Sequence, residues 1–229
     1  MKTTQGKLIV IDGSDGSGKS TQTQLLVDYL TKVNSHTKHL KFPRYESFYG
    51  KVVAKYLRGE FGNLENTSPY LASMIYAQDR FFAKKEMKDF LKPPGFLVLD
   101  RYATSNMGHQ GAKFKNDSER DEFLAWNYEM EYKINKLPKE DIVIYLYVPY
   151  IEAIKLRANI TNKEYLKGKT TDIHEADTNH LVAAEKTYLF LANKYPHWVK
   201  IDCIENEKLL SIDAIHLKII EKLKERKFI

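Results

Sequence analysis

The sequence predicts a three-layer α/β fold in which helices cover both faces of a five-stranded parallel sheet. Five short runs of β-branched and aromatic residues recur along the chain, at 8–11, 39–42, 96–99, 142–148 and 198–201. Long helical patterns separate these runs, and connections of that length join parallel strands. No linker, repeat or change of composition marks a second domain, so we expect one domain over residues 1–229.

Helices are predicted between and after these strands, and some of their ends carry a clear signal. The third helix ends at Pro93, Pro94 and Gly95, which turn the chain into the next strand. In the last helix, apolar residues at 219, 220 and 223 lie among charges of both signs, a pattern typical of a helix docked by one face. The expected ranges are 19–34, 48–58, 68–92, 117–136, 150–162, 176–195 and 206–226.

The composition argues against several classes of protein. The formal net charge is +6, but the 36 Lys and Arg residues are interleaved with 30 Asp and Glu residues, so we expect no nucleic-acid partner. Cys203 is the single cysteine and no Cys/His ligand cluster occurs in the sequence, which favours a reducing, cytoplasmic compartment. No apolar run approaches the roughly 18 residues of a membrane span, so no membrane association is expected.

A glycine-rich segment follows the first predicted strand and matches the phosphate-binding pattern G-x-x-x-x-G-K-[ST]. Strand, loop and helix in this order predict a P-loop NTPase fold. Backbone N–H groups of such a loop surround a polyphosphate, with Lys19 at the β- and γ-phosphates and the hydroxyl of Ser20 on Mg²⁺. A Mg²⁺-bound nucleoside triphosphate is the expected ligand, and a chance match in a glycine-rich turn is the alternative. The predicted binding residues are Gly13, Ser14, Asp15, Gly16, Ser17, Gly18, Lys19, Ser20 and Thr21.

One polar segment, at 161–172, has neither helical nor strand periodicity and carries several lysines. In a protein that handles phosphates, such a stretch predicts a short lid that closes over the reacting group. We expect this lid at about residues 157–175. An ordinary surface loop is the alternative interpretation.

Charged residues follow the second and third predicted strands, at the sheet edge where parallel α/β folds bind ligands. Arg44 follows the second strand, and Asp100 and Arg101 follow the third. A guanidinium can bind a phosphate through two hydrogen bonds, so the two arginines predict a second phosphate site. Asp100 is expected to hold Mg²⁺ through a bound water. Surface ion pairs and a turn cap are the alternatives, whereas the combination is typical of a kinase with a phosphorylated acceptor.

Four groups of residues extend this pattern: D-G-S-D-G-S-G-K-S-T at 12–21, F-P-R at 42–44, D-R-Y at 100–102 with S-N at 105–106, and Q-G-A-K at 110–113. Together they resemble the thymidylate kinase family, over about residues 6–206. The resemblance implies transfer of the γ-phosphoryl group of ATP to dTMP, giving dTDP and ADP. It also implies Mg²⁺ as cofactor and a homodimer.

The resemblance implies roles for individual residues as well. Arg44 and Arg101 would grip the dTMP phosphate, and Asp15 would accept a hydrogen bond from the sugar 3′-hydroxyl. Tyr76 would stack on the thymine and Arg80 would donate to a base carbonyl. Their i, i+4 spacing places both on one helix face, although a core tyrosine beside a surface arginine is the alternative. The other implied substrate contacts are Phe42, Ser105, Asn106, His109 and Gln110.

Three positions depart from the residues usual in that family. Gly16 stands where one subgroup has an arginine that neutralises charge on the transferred group, so the lid must provide that charge. His109 stands where Tyr or Phe commonly packs against the sugar, and Asp12 stands where glutamate is usual. The candidate catalytic cations of the lid are Lys163, Lys167 and Lys169, whereas Arg157 is expected to contact adenine.

Other functions fit part of the same pattern. A deoxynucleoside kinase or another nucleoside monophosphate kinase would use the same loop, but a deoxynucleoside kinase needs a carboxylate that deprotonates a sugar hydroxyl. The paired arginines favour a monophosphate acceptor. A nucleotide-dependent switch is a more distant alternative, since N-K-L-P at 135–138 lacks the aspartate of the guanine-reading motif N-K-x-D.

Overall fold

The computed structural model describes residues 5–64, 66–158, 164–168, 171–174 and 177–229, with the backbone alone at 157 and 158. Its centre is a parallel sheet of five strands in the order β2, β3, β1, β4, β5. The strands are β1 (Lys7–Gly13), β2 (Thr37–Lys41), β3 (Phe96–Asp100), β4 (Ile142–Tyr147) and β5 (Trp198–Asp202). The predicted fold class and strand number are therefore confirmed.

Helices of the described residues lie on both faces of this sheet. The α-helices are α1 (Lys19–Val33), α2 (Phe48–Leu57), α3 (Pro69–Phe90), α4 (Ala103–His109), α5 (Asp117–Tyr128), α6 (Tyr150–Ala158), α7 (Thr178–Lys194) and α8 (Ile212–Glu225). Short 3₁₀ turns occur at Gly111–Lys113 and Glu164–Leu166. No helix of the described segments is long and apolar enough to cross a membrane.

The central strands β1, β3 and β4 are apolar on both faces because helices cover both. In β1, Leu8 and Val10 face a core shared with α3, α4, α5 and α7. Ile9 and Ile11 face the opposite core, which is shared with α1, α6 and α8. Side chains alternate between the two faces of a strand, so a continuous apolar run is what a sheet in the middle layer requires.

Three helices differ from the sequence predictions. The sequence predicts no helix at α4, because seven residues are too short to display helical periodicity. The α-helix predicted over 117–136 ends at Tyr128 and continues as a π-helix over Glu129–Ile134. The helix predicted from 206 begins only at Ile212, after Ser211 accepts a hydrogen bond from the N–H of Ala214.

A two-stranded antiparallel hairpin occupies the start of that last predicted helix. Its strands are β6 (Ile204–Glu205) and β7 (Lys208–Leu209). Asn206 and Glu207 make the turn with left-handed φ angles of 49° and 61°. Two consecutive left-handed residues fit a tight hairpin turn, and asparagine is among the residues that adopt this conformation most readily.

Candidate active site

The glycine-rich loop joins β1 to α1 at the carboxyl edge of the sheet. Gly13 has φ 150°, and a Cβ there would lie 2.7 Å from the carbonyl oxygen of Leu146 on β4. Gly18 has φ 84° and precedes the first turn of α1, which contains no acidic residue. Both positions need glycine because of their backbone conformation. No carboxylate in the first turn of α1 neutralises the positive end of the helix dipole.

Lys19 begins α1, and its side chain folds back over the loop. Its Nζ donates a hydrogen bond to the carbonyl oxygen of Ser14 at 2.7 Å and lies 3.5 Å from Oδ1 of Asp15. The side chain is almost fully buried, and this burial, reinforced by the charge of Arg101, lowers its pKa to about 8. A buried ammonium binds anionic oxygens strongly, because little water screens the interaction.

Ser20 and Asp100 meet at the base of the loop in an arrangement that suits a magnesium ion. The hydroxyl of Ser20 donates to Oδ2 of Asp100 at 2.8 Å, and Asp100 is only 1% exposed. Oδ1 of the same carboxylate is buried and has no hydrogen-bond partner among the described residues. Hydroxyl and carboxylate oxygens are ligands that Mg²⁺ prefers, so the residues present fit the ion.

Arg101 connects the loop to a second cavity. It has a left-handed φ of 69°, and its backbone N–H donates to the carbonyl oxygen of Ile11 at 3.0 Å. Its guanidinium forms a close ion pair with Asp15, and its Nη1 lies 3.3 Å from Nε2 of His109. The carboxylate inside the loop thus holds the arginine that the sequence assigns to the acceptor phosphate.

The second cavity lies between the loop, α3 and α4. Its walls contain every predicted substrate residue except Arg44, which lines the neighbouring open cleft instead. The predicted residues that share the cavity are Asp15, Phe42, Tyr76, Arg80, Arg101, Ser105, Asn106, His109 and Gln110. A cavity lined by several convergent polar groups is typical of a small-molecule site.

Two of the predicted substrate arginines are held by carboxylates that the sequence analysis did not single out. Arg44 donates from Nε to Oδ1 of Asp79 at 3.2 Å and from Nη2 to the carbonyl oxygen of that residue at 2.7 Å. Arg80 forms a short, buried ion pair with Glu131. These carboxylates fix the direction of each guanidinium and leave its other N–H groups for further partners.

Asp12 lies at the centre of a buried network beneath the loop. It is fully buried and accepts hydrogen bonds from Thr104 at 2.6 Å and from Tyr188 at 2.9 Å. Ser105, predicted to contact the base, also donates to Asp12, at 2.9 Å and 3.0 Å to its two oxygens. The network ties the end of β1 to α4 and α7, so the aspartate that replaces the usual glutamate has a structural role here.

Asn106, the other residue predicted to read the base, is turned toward the protein interior. Its Nδ2 lies 3.2 Å from the carbonyl oxygen of Ser73 and 3.4 Å from Oε1 of Glu131. Glu131 therefore contacts both Arg80 and Asn106. One buried carboxylate orders the two polar side chains on this wall of the cavity.

Aromatic residues missed by the sequence analysis close the cavity on the lid side. Tyr45 stacks on Tyr165, with ring centroids 4.4 Å apart and planes inclined by 7°. Nη1 of Arg58 donates to the carbonyl oxygen of Tyr165 at 2.6 Å. Tyr165 is the one aromatic side chain in the polar stretch 161–172. This is the feature of the sequence that could have identified it.

The first part of the predicted lid that the structure describes, residues 164–168, lies over the open cleft, where Tyr165 and Lys167 face the same space as Gly16 and Lys19. Lys167 is exposed and has a left-handed φ of 50°. Two other predicted lid cations, Lys163 and Lys169, lie outside the described residues, as does the side chain of Arg157. Lys167 is therefore the predicted lid cation for which a position is known.

The sequence profile of the thymidylate kinase family matches residues 11–209 of the chain. The thymidylate kinase of Plasmodium falciparum is 31% identical over 223 residues, which cover 96% of this chain and 90% of that protein. The human thymidylate kinase is 32% identical over 168 residues, or 73% of each chain. A probable thymidylate kinase of Methanococcus aeolicus is 28% identical over 97% of this chain and 98% of its own.

Solved structures agree with the fold. The thymidylate kinase of Candida albicans superimposes with a TM-score of 0.70 and 22% sequence identity, covering 99% of this chain and 94% of its own. The thymidylate kinase of Ehrlichia chaffeensis gives a TM-score of 0.64 at 19% identity, covering 95% of this chain and 98% of its own. Both comparisons support the same three-layer architecture.

Proposed function

The chain belongs to the thymidylate kinase family and is a phosphotransferase, and we propose that it transfers the γ-phosphoryl group of ATP to dTMP in the cavity beside Asp15. The observation that carries this proposal is the contact of Arg101 with Asp15, because Asp15 belongs to the triphosphate loop and Arg101 lines the acceptor cavity. Donor and acceptor phosphates would meet at this pair.

Different residues bind the donor and the acceptor phosphates. Lys19 and the backbone of residues 13–18 bind the donor phosphates, and Arg101 together with Arg44 binds the acceptor phosphate. Asp15 holds Arg101 in place and accepts a hydrogen bond from the sugar 3′-hydroxyl. Since the acceptor phosphate is already anionic near neutral pH, transfer needs alignment and charge compensation more than a general base.

Mg²⁺ would be held by Ser20 directly and by Asp100 through a water molecule. When bound, the ion neutralises charge that develops on the β- and γ-phosphate oxygens. The unpartnered Oδ1 of Asp100 is the acceptor that such a water requires. Lys41 lies 3.6 Å from Oδ2 of Asp100 and adds positive charge on the outer side of this site.

Base and sugar recognition is proposed for the inner wall of the cavity. Arg80, fixed by Glu131, and Tyr76, which also lines the cavity, would bind the thymine. His109 would pack against the sugar, and burial together with the charge of Arg101 keeps its pKa well below the usual value. A neutral imidazole can accept a hydrogen bond, which a Phe at this position cannot do.

The lid is proposed to bring the last cation to the transferred group, because Gly16 offers no side chain. Lys167 faces the cleft that contains Gly16 and Lys19, which makes it the first candidate, with Lys163 and Lys169 beside it in sequence. Replacing Lys167 with Met should lower kcat with little change in the KM for dTMP. If kcat is unchanged, Lys163 or Lys169 provides the catalytic charge of the lid instead.

Acceptor specificity distinguishes this function from the related kinases. ADP release is measured in a coupled assay with dTMP, dCMP, dGMP, AMP, UMP and thymidine as acceptors, with Mg²⁺ and ATP in excess. We expect stimulation by dTMP above all others and none by thymidine, because Arg101 has no phosphate to bind there. Equal stimulation by the other monophosphates would refute the assignment, and stimulation by thymidine would favour a deoxynucleoside kinase.

A homodimer is also proposed. Three large apolar side chains on α3 share one exposed face, namely Leu71, Met74 and Phe82, and Phe48 at the start of α2 is 76% exposed. An exposed apolar patch of this kind suits a second copy of the chain. Light scattering should give twice the monomer mass, and Phe82→Glu should give the monomer. The cytoplasmic location inferred from the single cysteine stays a prediction.

A further inference from the structure

Three histidines that are far apart in sequence meet next to the acceptor cavity. His109 is the last residue of α4, His174 lies in the described segment 171–174, and His180 is in the first turn of α7. One ring nitrogen from each lies within 4.8 Å of the other two. We propose that His109, His174 and His180 form a binding site for one transition-metal ion of the Zn²⁺ class.

The ligand type selects the ion. Imidazole suits Zn²⁺, Ni²⁺ and Cu²⁺, whereas the harder Mg²⁺ prefers oxygen ligands such as those at Ser20 and Asp100. The site is therefore chemically separate from the proposed magnesium site. The sequence analysis found no Cys/His ligand cluster, because none of these histidines has the spacing of a local metal-binding motif.

The three imidazoles are in the protonation state that a metal requires. Burial lowers the pKa of His174 well below its usual value and that of His180 to about 4, and the neighbouring positive charges act in the same direction. A ligating imidazole must be neutral, so these side chains need not lose a proton when an ion binds near neutral pH.

The geometry is close to that of a metal site. Nδ1 of His174 lies 3.0 Å from Nε2 of His180, and the ring of His109 has its centroid 5.7 Å and 5.9 Å from the other two rings. Nitrogens bound to one tetrahedral Zn²⁺ are about 3.4 Å apart, given Zn–N distances of roughly 2.0–2.1 Å. The three ring nitrogens lie within 4.8 Å of one another, so the rings have to close by up to about 1.4 Å to complete a three-histidine site.

An unsatisfied polar atom supports the same interpretation. Nδ1 of His109 is buried without a hydrogen-bond partner among the described residues. An unpaired buried nitrogen destabilises a fold, so the cluster gains from a ligand at this atom. A bound ion would give the cluster this partner, with a water molecule as the fourth ligand.

Ion binding would also affect Arg101. A guanidinium can only donate, so the contact between Arg101 and Nε2 of His109 places the lone pair on Nε2. Coordination through Nε2 uses that lone pair, and coordination through Nδ1 moves the ring proton to Nε2. In either case Arg101 loses His109 as an acceptor, which links the ion to the acceptor-phosphate site.

The test measures the ion rather than turnover, so its outcome is independent of the proposed reaction. The full-length protein is treated with a chelator, freed of nucleotides, and titrated with Zn²⁺ and separately with Co²⁺. We expect close to one equivalent of bound Zn²⁺ by equilibrium dialysis, a rise in melting temperature, and the visible absorption bands of Co²⁺ with nitrogen ligands.

Variants assign the binding to the cluster. His174→Gln and His180→Gln should each abolish the Zn²⁺-dependent rise in melting temperature, and His216→Gln on α8 should retain it. Each variant is compared with its own metal-free form, and circular dichroism verifies its fold. The proposal would be overturned if the natural chain bound far less than one equivalent of Zn²⁺. Zn²⁺ binding that survives both cluster substitutions would overturn it as well.

Discussion

The ion pair between Arg80 and Glu131 makes Glu131→Gln the most demanding test of the structure. Arg80 is 2% exposed and Glu131 is 0% exposed, so neither charge is compensated by solvent. The substitution keeps the shape of the side chain and one hydrogen-bond acceptor, but it removes the negative charge. What is left is a buried guanidinium without a counter-ion.

The expected loss of stability follows from this burial. Breaking a buried ion pair by removing one partner destabilises a fold by about 3–5 kcal/mol. Because the glutamine oxygen still accepts a hydrogen bond, we expect the lower end, about 3 kcal/mol. That is a large share of the stability of a domain, which is roughly 5–15 kcal/mol in total.

Urea denaturation followed by circular dichroism measures the effect as a free energy of unfolding. The matched control is Glu152→Gln on α6, since Glu152 pairs with Lys155 at 2.6 Å on the surface. Exposed pairs of this kind contribute little, so the control should change stability by about 0.5 kcal/mol or less.

A double variant separates the lost charge from the lost packing. Arg80→Met combined with Glu131→Leu removes both charges and should regain most of the stability, because apolar replacements of buried pairs are often neutral. If Glu131→Gln alone reduces stability by less than about 1 kcal/mol, the pair is exposed to water in solution and the reasoning fails.

Three further predictions concern the site. At pH 8, ATP binding should take up about half a proton, because the pKa of Lys19 is about 8 before the phosphates raise it. Calorimetry in two buffers of different ionisation enthalpy measures this proton uptake, and Lys19→Met should eliminate it. Asp79→Asn should raise the KM for dTMP about tenfold with a smaller change in kcat, since it loosens Arg44; steady-state kinetics would contradict this if KM is unchanged. His180 alone should account for about 3 kcal/mol of lost stability as the pH drops from 6.5 to about 4, because the unfolded chain protonates this histidine at a higher pH than the folded chain does; His180→Gln should make this part of the urea-midpoint profile less steep, and an unaltered slope would exclude His180.

The sequence alone determined the features that are encoded locally. The central strands β1, β3 and β4 appear as apolar runs because a strand covered on both faces needs apolar residues at nearly every position. The phosphate loop appears as glycines at fixed spacing, since Gly13 and Gly18 adopt backbone angles that other residues avoid. Motif residues at the strand ends, such as Asp100 and Arg101, were found by the same logic.

Short or atypical elements carried no such signal. The helix α4 has too few residues for a period, and the π-helix at Glu129–Ile134 reads as ordinary helix in sequence. The hairpin at Ile204–Glu205 and Lys208–Leu209 is two residues per strand, below the length at which alternation can be recognised.

Only the tertiary structure decided which charged side chains meet. Arg44 and Asp79 are 35 residues apart and Arg80 and Glu131 are 51 apart, so no local pattern relates them. The cluster of His109, His174 and His180 likewise exists because α4, α7 and the segment before α7 pack together. Periodicity records which face of an element is buried, whereas the partner of a buried charge is set by packing between elements.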